Sequence, residues 1–306
     1  MRFFQVAKRV ALLFAVNLLV MLTIGIIASL IFRQLGPRIG GYQRLFLYCF
    51  IWGMGGAFVS LAISRWMAKF SMGVQVIDPN TSDPELQHLV QTVHHLARTA
   101  GLPAMPEVGV YNSPEINAFA TGPSRSRALV AVSSGLLGRM RQFDLEGVLG
   151  HETAHIANGD MVTMTLIQGV VNAFAMFLGW VLAIALSRGS DRDDERGNPF
   201  MEWMLMQLFQ TVFMFLGMIV VNWFSRWREF RADAGGARFA GRDHMLSALR
   251  ALQAVHEHGA DMAAGTQSAS FQNLKISGKT SGIMALFASH PPIEERIARL
   301  ENPTLG

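Results

Sequence analysis

The sequence predicts an α-helical membrane protein carrying an α+β portion outside the bilayer, and three observations carry that prediction. The 306 residues are 51% apolar and only 16% charged, with a mean hydropathy of +0.29, where a soluble domain carries more charge. Four runs, residues 10–32, 45–63, 161–186 and 203–224, contain no Asp, Glu, Lys or Arg. Each is close to or above the roughly 20 residues that cross a hydrocarbon core. The segments between them break into short strand-like and helix-like patterns separated by turn residues.

The first run has the basic start of a secretory signal (Arg2, Lys8, Arg9), but its apolar part exceeds the roughly 7–15 residues of a signal core. It is therefore expected as a retained span. The only cysteine, Cys49, lies inside the second run, so no disulfide framework exists. Polar residues within the runs are few: Asn17, Gln168, Asn172, Gln207, Gln210 and Asn222. A transport pathway would carry intramembrane charges, and these runs have none.

Lys and Arg near the span ends set orientation. Four spans put the N-terminus, residues 65–160 and residues from 225 onward on one side. That side holds Arg2, Lys8, Arg9, Arg65, Lys69, Arg139, Arg141, Arg226, Arg228, Arg231 and Arg238. It is expected to be cytoplasmic. A pI of about 9.6 then reads as attraction to an anionic leaflet. No aromatic-plus-basic motif or zinc-finger spacing points to nucleic acid.

After the second span, Ser82 or Asp83 caps a helix with Pro84 in its first turn, and Leu86, Leu89, Val90, Val93, Leu96 and Ala97 form its apolar stripe. His88, His94 and His95 lack an acidic partner there and read as polar-face histidines. Strands are expected over residues 107–111, 116–121 and 128–133, the last two joined as a hairpin by "TGPSRSR". A helix follows from about Gln142. Residues 259–282 turn rich in Gly, Ser and Ala and are expected to form a mobile loop. An amphipathic C-terminal helix carries Ile293, Ile297 and Leu300.

The helix from Gln142 contains "GHETAHIANGDM". Residues four apart share a helix face, so His151 and His155 converge while Glu152 borders the same point. Two imidazoles suit Zn²⁺. Arg141, Asp144 and Glu146 earlier in the helix keep it in water rather than within a span. A hydrolytic zinc centre needs a third protein ligand and an open position. The metzincin spacing is excluded, because Asn158 and Met161 stand where Gly and His are required. The third span offers no acid or histidine. The chain returns from the fourth as "SRWREFRADAGGARFAG", a helical run closed by Gly235 and Gly236 or later by Gly241. There Glu229 can ligate, and Asp233 one turn on can accept the free ring N–H of a ligand histidine.

"GHETAHIANGDM", "SRWREFRADAGGARFAG" and "SHPPIEERIARL", in that order, resemble the HtpX-type integral membrane zinc metalloproteases, relatives of the CAAX prenyl endopeptidases. The likeness extends over nearly the whole chain. It implies a zincin-like (gluzincin) α+β metalloprotease domain among four hydrophobic spans, in the bacterial inner membrane with both termini cytoplasmic. The implied parts are an N-terminal transmembrane hairpin (1–66), a protease part with the HExxH helix (67–160), a second hydrophobic hairpin (161–225) and a C-terminal protease part (226–306). His151, His155 and Glu229 carry over as ligands of one Zn²⁺ and Glu152 as the catalytic base. Thr153 departs from the bulkier apolar residue expected at that variable position. "INAFATG" resembles a substrate-aligning edge strand, with Asn117 and Ala118 offering hydrogen bonds. His290 resembles an oxyanion donor. The implied activity is hydrolysis of misfolded or damaged membrane proteins, a form of quality control. A zinc-dependent chaperone or scaffold is the alternative, but a structural zinc would have a fourth protein ligand and no use for Glu152.

An active site on the same side as residues 259–282 predicts self-cleavage in that stretch once detergent removes the bilayer. Zinc addition to purified protein should yield fragments whose N-termini map there, and chelator or Glu152→Gln should prevent them. Intact wild-type protein at full zinc occupancy would contradict this.

Overall fold

The structure, a computed structural model, describes residues 41–187, 199–265 and 290–302 and the isolated positions 22, 23, 26, 30 and 33. Helix α1 (Gly41–Ser71) is followed by β1 (Gln75–Val76), α2 (Pro84–Thr99), β2 (Glu107–Tyr111), β3 (Ala118–Ser124) and β4 (Arg127–Ser133). Then come α3 (Ser134–Arg139), α4 (Gln142–Asn158), α5 (Asp160–Ser187), α6 (Pro199–Phe239), α7 (Arg242–Gly265) and α8 (Ile293–Glu301). Three helices among the described residues, α1, α5 and α6, are long and apolar enough to cross a membrane. They contain the second, third and fourth apolar runs. The first run, residues 10–32, lies almost wholly outside the described residues.

The chain divides into two compact units, one drawn from Met1–Ala62 and Thr163–Val221, the other from Ile63–Val162 and Asn222–Gly306. In the first, small residues let the helix backbones approach. A Cβ on Gly53 would meet Ala173 Cα at 2.8 Å, and one on Gly179 would meet Gln210 Cα at 3.2 Å, while Gly169 faces Met54 and Gly217 faces Val171. Partner numbers fall as the others rise, so α1 and α6 each run antiparallel to α5. With no apolar driving force between helices in lipid, such close packing is what holds them.

In the second unit the sheet order is β1-β2-β4-β3, with β2 and β4 parallel and the other pairs antiparallel. Successive side chains on a strand face opposite sides. On β4 this sends Ala128, Val130 and Val132 to one core, with the α2 stripe and with Leu149 and Ile156 of α4. Leu129 and Ala131 go to the other face, with Ala68, Val74 and Tyr111. Asp83 caps α2, its carboxylate accepting from the amides of Glu85 and Leu86.

Some expected boundaries move. The strand expected over 116–121 is β3, Ala118–Ser124, because Asn117 turns its backbone onto Ser133 before the ladder starts. The helix of Glu229 does not close at Gly235 and Gly236. It runs to Phe239, and Gly241, at φ 107°, follows it. The loop expected from 259 begins as helix, since α7 continues to Gly265; residues 266–282 lie outside the described residues. The two-residue β1 has no counterpart among the expected strands.

Asp144 ties the start of α4 to α7. It is 3% exposed, and the Arg141 fork donates to its two oxygens at 2.9 and 3.0 Å while the Ser247 hydroxyl donates at 2.5 Å. Burial pushes this carboxyl up, but the hydrogen bonds from Arg141 and Ser247 outweigh burial and hold it below the ordinary value of 3.8. A depressed folded-state pKa gives stability that is present above the unfolded value and lost as pH falls through the folded one. Asp144→Asn should therefore lower the thermal midpoint at neutral pH, with the gap to wild type closing below about pH 4. A gap unchanged at lower pH would mean that the charge is not what matters.

Candidate metal centre

Helix α4 ends at Gly159, whose φ of 72° is the left-handed conformation glycine adopts without strain. The turn starts α5 immediately, and it brings the Asp160 carboxylate within 2.6 Å of His155 Nδ1. One turn back on α4, His151 Nδ1 lies 2.9 Å from Asp233 Oδ1 on α6. Each imidazole thus has Nδ1 on a carboxylate, and the other nitrogens turn inward together. The two Nε2 atoms are 3.1 Å apart. Glu229 meets both, with Oε2 at 3.5 Å from His151 Nε2 and Oε1 at 3.4 Å from His155 Nε2. Donor atoms of His151, His155 and Glu229 all lie within 4.8 Å of one another, and all three side chains are nearly buried.

The approach of α4 to α6 depends on residues without side chains. A Cβ on Gly236 would stand 3.0 Å from His151 N and 2.9 Å from Met245 Sδ, and one on Gly150 would stand 2.8 Å from Ala240 Cβ. Gly235 faces Ala154 in the same way. On the other side of α4, Gly147 sits against the His244 carbonyl of α7.

With each Nδ1–H donating to a carboxylate, both Nε2 atoms present lone pairs to each other and to Glu229. Three acceptors then converge with no hydrogen between them. Glu229 Oε1 is buried and has no hydrogen-bond partner, which is costly unless a cation supplies what is missing. In the metal-free chain a proton meets part of this demand. Burial pushes the His151 imidazolium down, yet hydrogen bonds to Asp233 and Glu229 outweigh burial and raise its pKa to about 9. His155 is raised too: burial opposes, and hydrogen bonds to Asp160 and Glu229 prevail. Two nitrogens and one carboxylate oxygen fit a borderline divalent ion such as Zn²⁺.

Around this triad the structure adds two residues that sequence reasoning missed, Asp160 and Arg296. The Arg296 guanidinium is 11% exposed and grips Asp233 bidentately, at 2.6 and 2.8 Å. It thereby fastens α8 beside the triad. Arg242 and Arg250 of α7 hold the end of α8 by donating to the Leu300 and Glu301 carbonyls and to the Glu301 carboxylate. His290 Nδ1 is 3.1 Å from Glu229 Oε2, with its side chain 60% exposed. Glu152 is half-buried next to His151, and its charge adds a minor upward push to the pKa values of His155 and Arg296. Thr153 is buried, its hydroxyl donating to the Leu149 carbonyl at 2.7 Å, so the unexpected polar residue is satisfied within its own helix.

Asn117 leads into and Ala118 begins β3, one of the two edge strands of the sheet among the described residues. Both backbone groups of Asn117 face Ser133: its N–H donates to Ser133 Oγ, and its carbonyl accepts from Ser133 N. Antiparallel pairs alternate, so the Ala118 N–H and C=O point to the free edge. His94 bonds the Pro106 carbonyl, and His88 contacts Thr92 and Gln142; neither joins the triad.

A metal-ready triad carried on HExxH and glutamate helices, in a chain with membrane-crossing helices, is what a membrane metallopeptidase needs. The chain belongs to peptidase family M48, whose description matches residues 83–304. A Protease HtpX homolog of Bacillus subtilis (strain 168) is 48% identical over 306 residues, covering 96% of this chain and 99% of that protein. Protease HtpX of Idiomarina loihiensis is 47% identical over 294 residues, covering 96% and 99%. The crystal structure of S. mikatae Ste24p shares the fold, with a TM-score of 0.61 at 17% identity, over 94% of this chain and 66% of that one. The protein is a membrane metalloprotease, a hydrolase.

The glycine seam makes a test. Gly to Ala inside a helix ordinarily stabilises by about 1 kcal/mol. Gly236→Ala should do the reverse, lowering the thermal midpoint and weakening metal retention, because its Cβ must push α6 from His151. A raised midpoint with unchanged metal affinity would show that the helices have room.

Proposed function

We propose that the protein is a zinc endopeptidase that cuts misfolded or damaged membrane proteins on the cytoplasmic side of the bacterial inner membrane. The observation that supports this most is the convergence of the two Nε2 atoms on Glu229, with both Nδ1 atoms held by Asp233 and Asp160. In this reading His151, His155 and Glu229 hold one Zn²⁺. The chain is organised as two hydrophobic hairpins, 1–66 and 161–225, alternating with protease parts 67–160 and 226–306.

A bound Zn²⁺ supplies Lewis acidity, acidifying a water and polarising the scissile carbonyl. The protein does the rest. Ala118 offers its outward N–H and C=O to an extended substrate by strand addition, and Asn117, whose backbone is already engaged, contributes its side-chain amide. Glu152 takes a proton from the attacking water and delivers it to the leaving amine. His290, exposed at the edge of the triad, donates a hydrogen bond to the developing oxyanion. Asp233 and Asp160 hold each ligand histidine's Nδ1–H, so that Nε2 is the nitrogen that would bind the ion once its proton is displaced. Arg296 keeps Asp233 ionised and aimed at His151. The orientation rests on the excess of Lys and Arg flanking the spans on the protease side.

Glu152→Gln should abolish peptide hydrolysis and leave bound zinc near one per chain, whereas Glu229→Ala should lose both. Asp160→Asn and Asp233→Asn should each weaken zinc binding by roughly 10–100-fold. Elemental analysis with a peptide cleavage assay separates these cases. Zinc lost in Glu152→Gln, or kept in Glu229→Ala, would reassign the ligands.

A further inference from the structure

Helices α1 and α6 leave their apolar runs on the same tripeptide. Ser64-Arg65-Trp66 follows Ile63, and Ser225-Arg226-Trp227 follows Phe224. Each lies within unbroken helix. Trp66 is 46% exposed, Trp223 62% and Trp227 45%, although large aromatic rings are usually covered. These rings lie beside other aromatics and a cation. Trp66 stacks on Phe70 with centroids 5.4 Å apart and planes 5° from parallel. Trp227 lies 5.4 Å from the Phe224 ring, with the Arg231 guanidinium 4.8 Å above it. Tryptophan has an apolar body and one N–H donor, which suits the headgroup level of a membrane. An arginine laid on the ring can reach outward to phosphate.

We propose that these two exits are an interfacial belt seated among anionic lipid headgroups, and that the belt sets the depth of the metal triad. Three features favour lipid as the occupant. The belt is continuous with runs long enough to cross the bilayer, the chain carries a net charge of +4, and cations alternate with the rings. Glu229 is two residues beyond Trp227 and five beyond Phe224, or about 3 Å and about 7.5 Å of helical rise. The other ligand helix indicates the same depth independently. His155 is bonded to Asp160, and Asp160 directly precedes the apolar run 161–186. The headgroup layer on each side is about 5–8 Å thick, so the triad stands at its outer edge.

This has a consequence for substrate class that rests on the peptidase reading. An extended chain covers about 3.3 Å per residue. A peptide bond only a few residues beyond a substrate's own membrane anchor therefore reaches the depth of Glu229. A longer flexible tether lowers the effective concentration as roughly the −3/2 power of its length. The favoured substrate is a membrane-anchored chain cut just outside the bilayer.

Depth is measured without reference to activity. The full-length chain, with Cys49→Ala as background, carries one nitroxide label on the exposed face of α6 in turn, through Val220→Cys, Trp223→Cys, Trp227→Cys, Arg231→Cys, Ala234→Cys or Arg238→Cys. In vesicles of phosphatidylethanolamine and phosphatidylglycerol, oxygen collisions should dominate at positions 220 and 223 and a water-soluble nickel chelate from 231 onward. A crossover outside 223–231, or labels shielded from both probes as a protein partner would shield them, overturns the proposal. The unsubstituted chain gives a second reading: lipids brominated near the headgroup should quench its tryptophan emission more than an aqueous quencher does, and the reverse order overturns the belt. In the same vesicles, an anchored substrate with one cleavable cassette should be cut about twenty-fold less when its tether grows from about 5 to about 40 residues. Equal cutting at all lengths overturns the depth consequence. If no cassette is cut, and a free peptide is not cut either, the peptidase reading fails and the collision profile alone decides the belt.

Discussion

Three electron-pair donors facing one another in a protein interior repel, and much of the second unit reads as the means of holding them there. His151 and His155 come from one helix and Glu229 from another, so the spacing of α4 and α6 is the controlling variable. Gly150, Gly235 and Gly236 bring the backbones together. Asp160 and Asp233 then fix which nitrogen of each ring faces the centre. Without a cation this arrangement is a cost, and the raised pKa of His151 is the sign of that cost being met by a proton. Competition between protons and metal for the same lone pairs follows directly.

The outer parts of the unit serve the same arrangement. The sheet carries α4 on one face through Val130 and Val132 and offers β3 as an edge. Arg296 adds a strap from the C-terminal helix. Its bidentate grip on Asp233 links residues 63 apart in sequence, and Arg242 and Arg250 secure the same helix from α7. A buried guanidinium and carboxylate are costly apart and tolerable together, so α8 and α6 depend on each other.

What was legible in the sequence was what local spacing encodes. The i,i+4 pair at 151 and 155, its repetition at 229 and 233, the uncharged runs and the cap before Pro84 are short-range patterns, and they specify the helices and the triad. Asp160 was passed over because its meeting with His155 depends on the left-handed turn at Gly159, which reads in sequence only as a helix end. Arg296 was passed over because nothing local pairs it with Asp233. The glycines at 235 and 236 suggested a stop, since helix propensity disfavours them; close packing on α4 kept them helical. The two residues of β1 are too few to show a period.

The triad is also discontinuous in the chain, with Glu229 placed 74 residues after His155 and a pair of apolar helices in between. A nascent polypeptide reaches the ribosome exit with its histidine pair finished long before the carboxylate has been translated. The third and fourth apolar segments must both be made, and α6 must return to α4, before the three donors can meet. If the triad holds the metal as proposed, a half-synthesised or misinserted copy lacks its third donor, and hydrolytic competence would arrive only with the completed molecule.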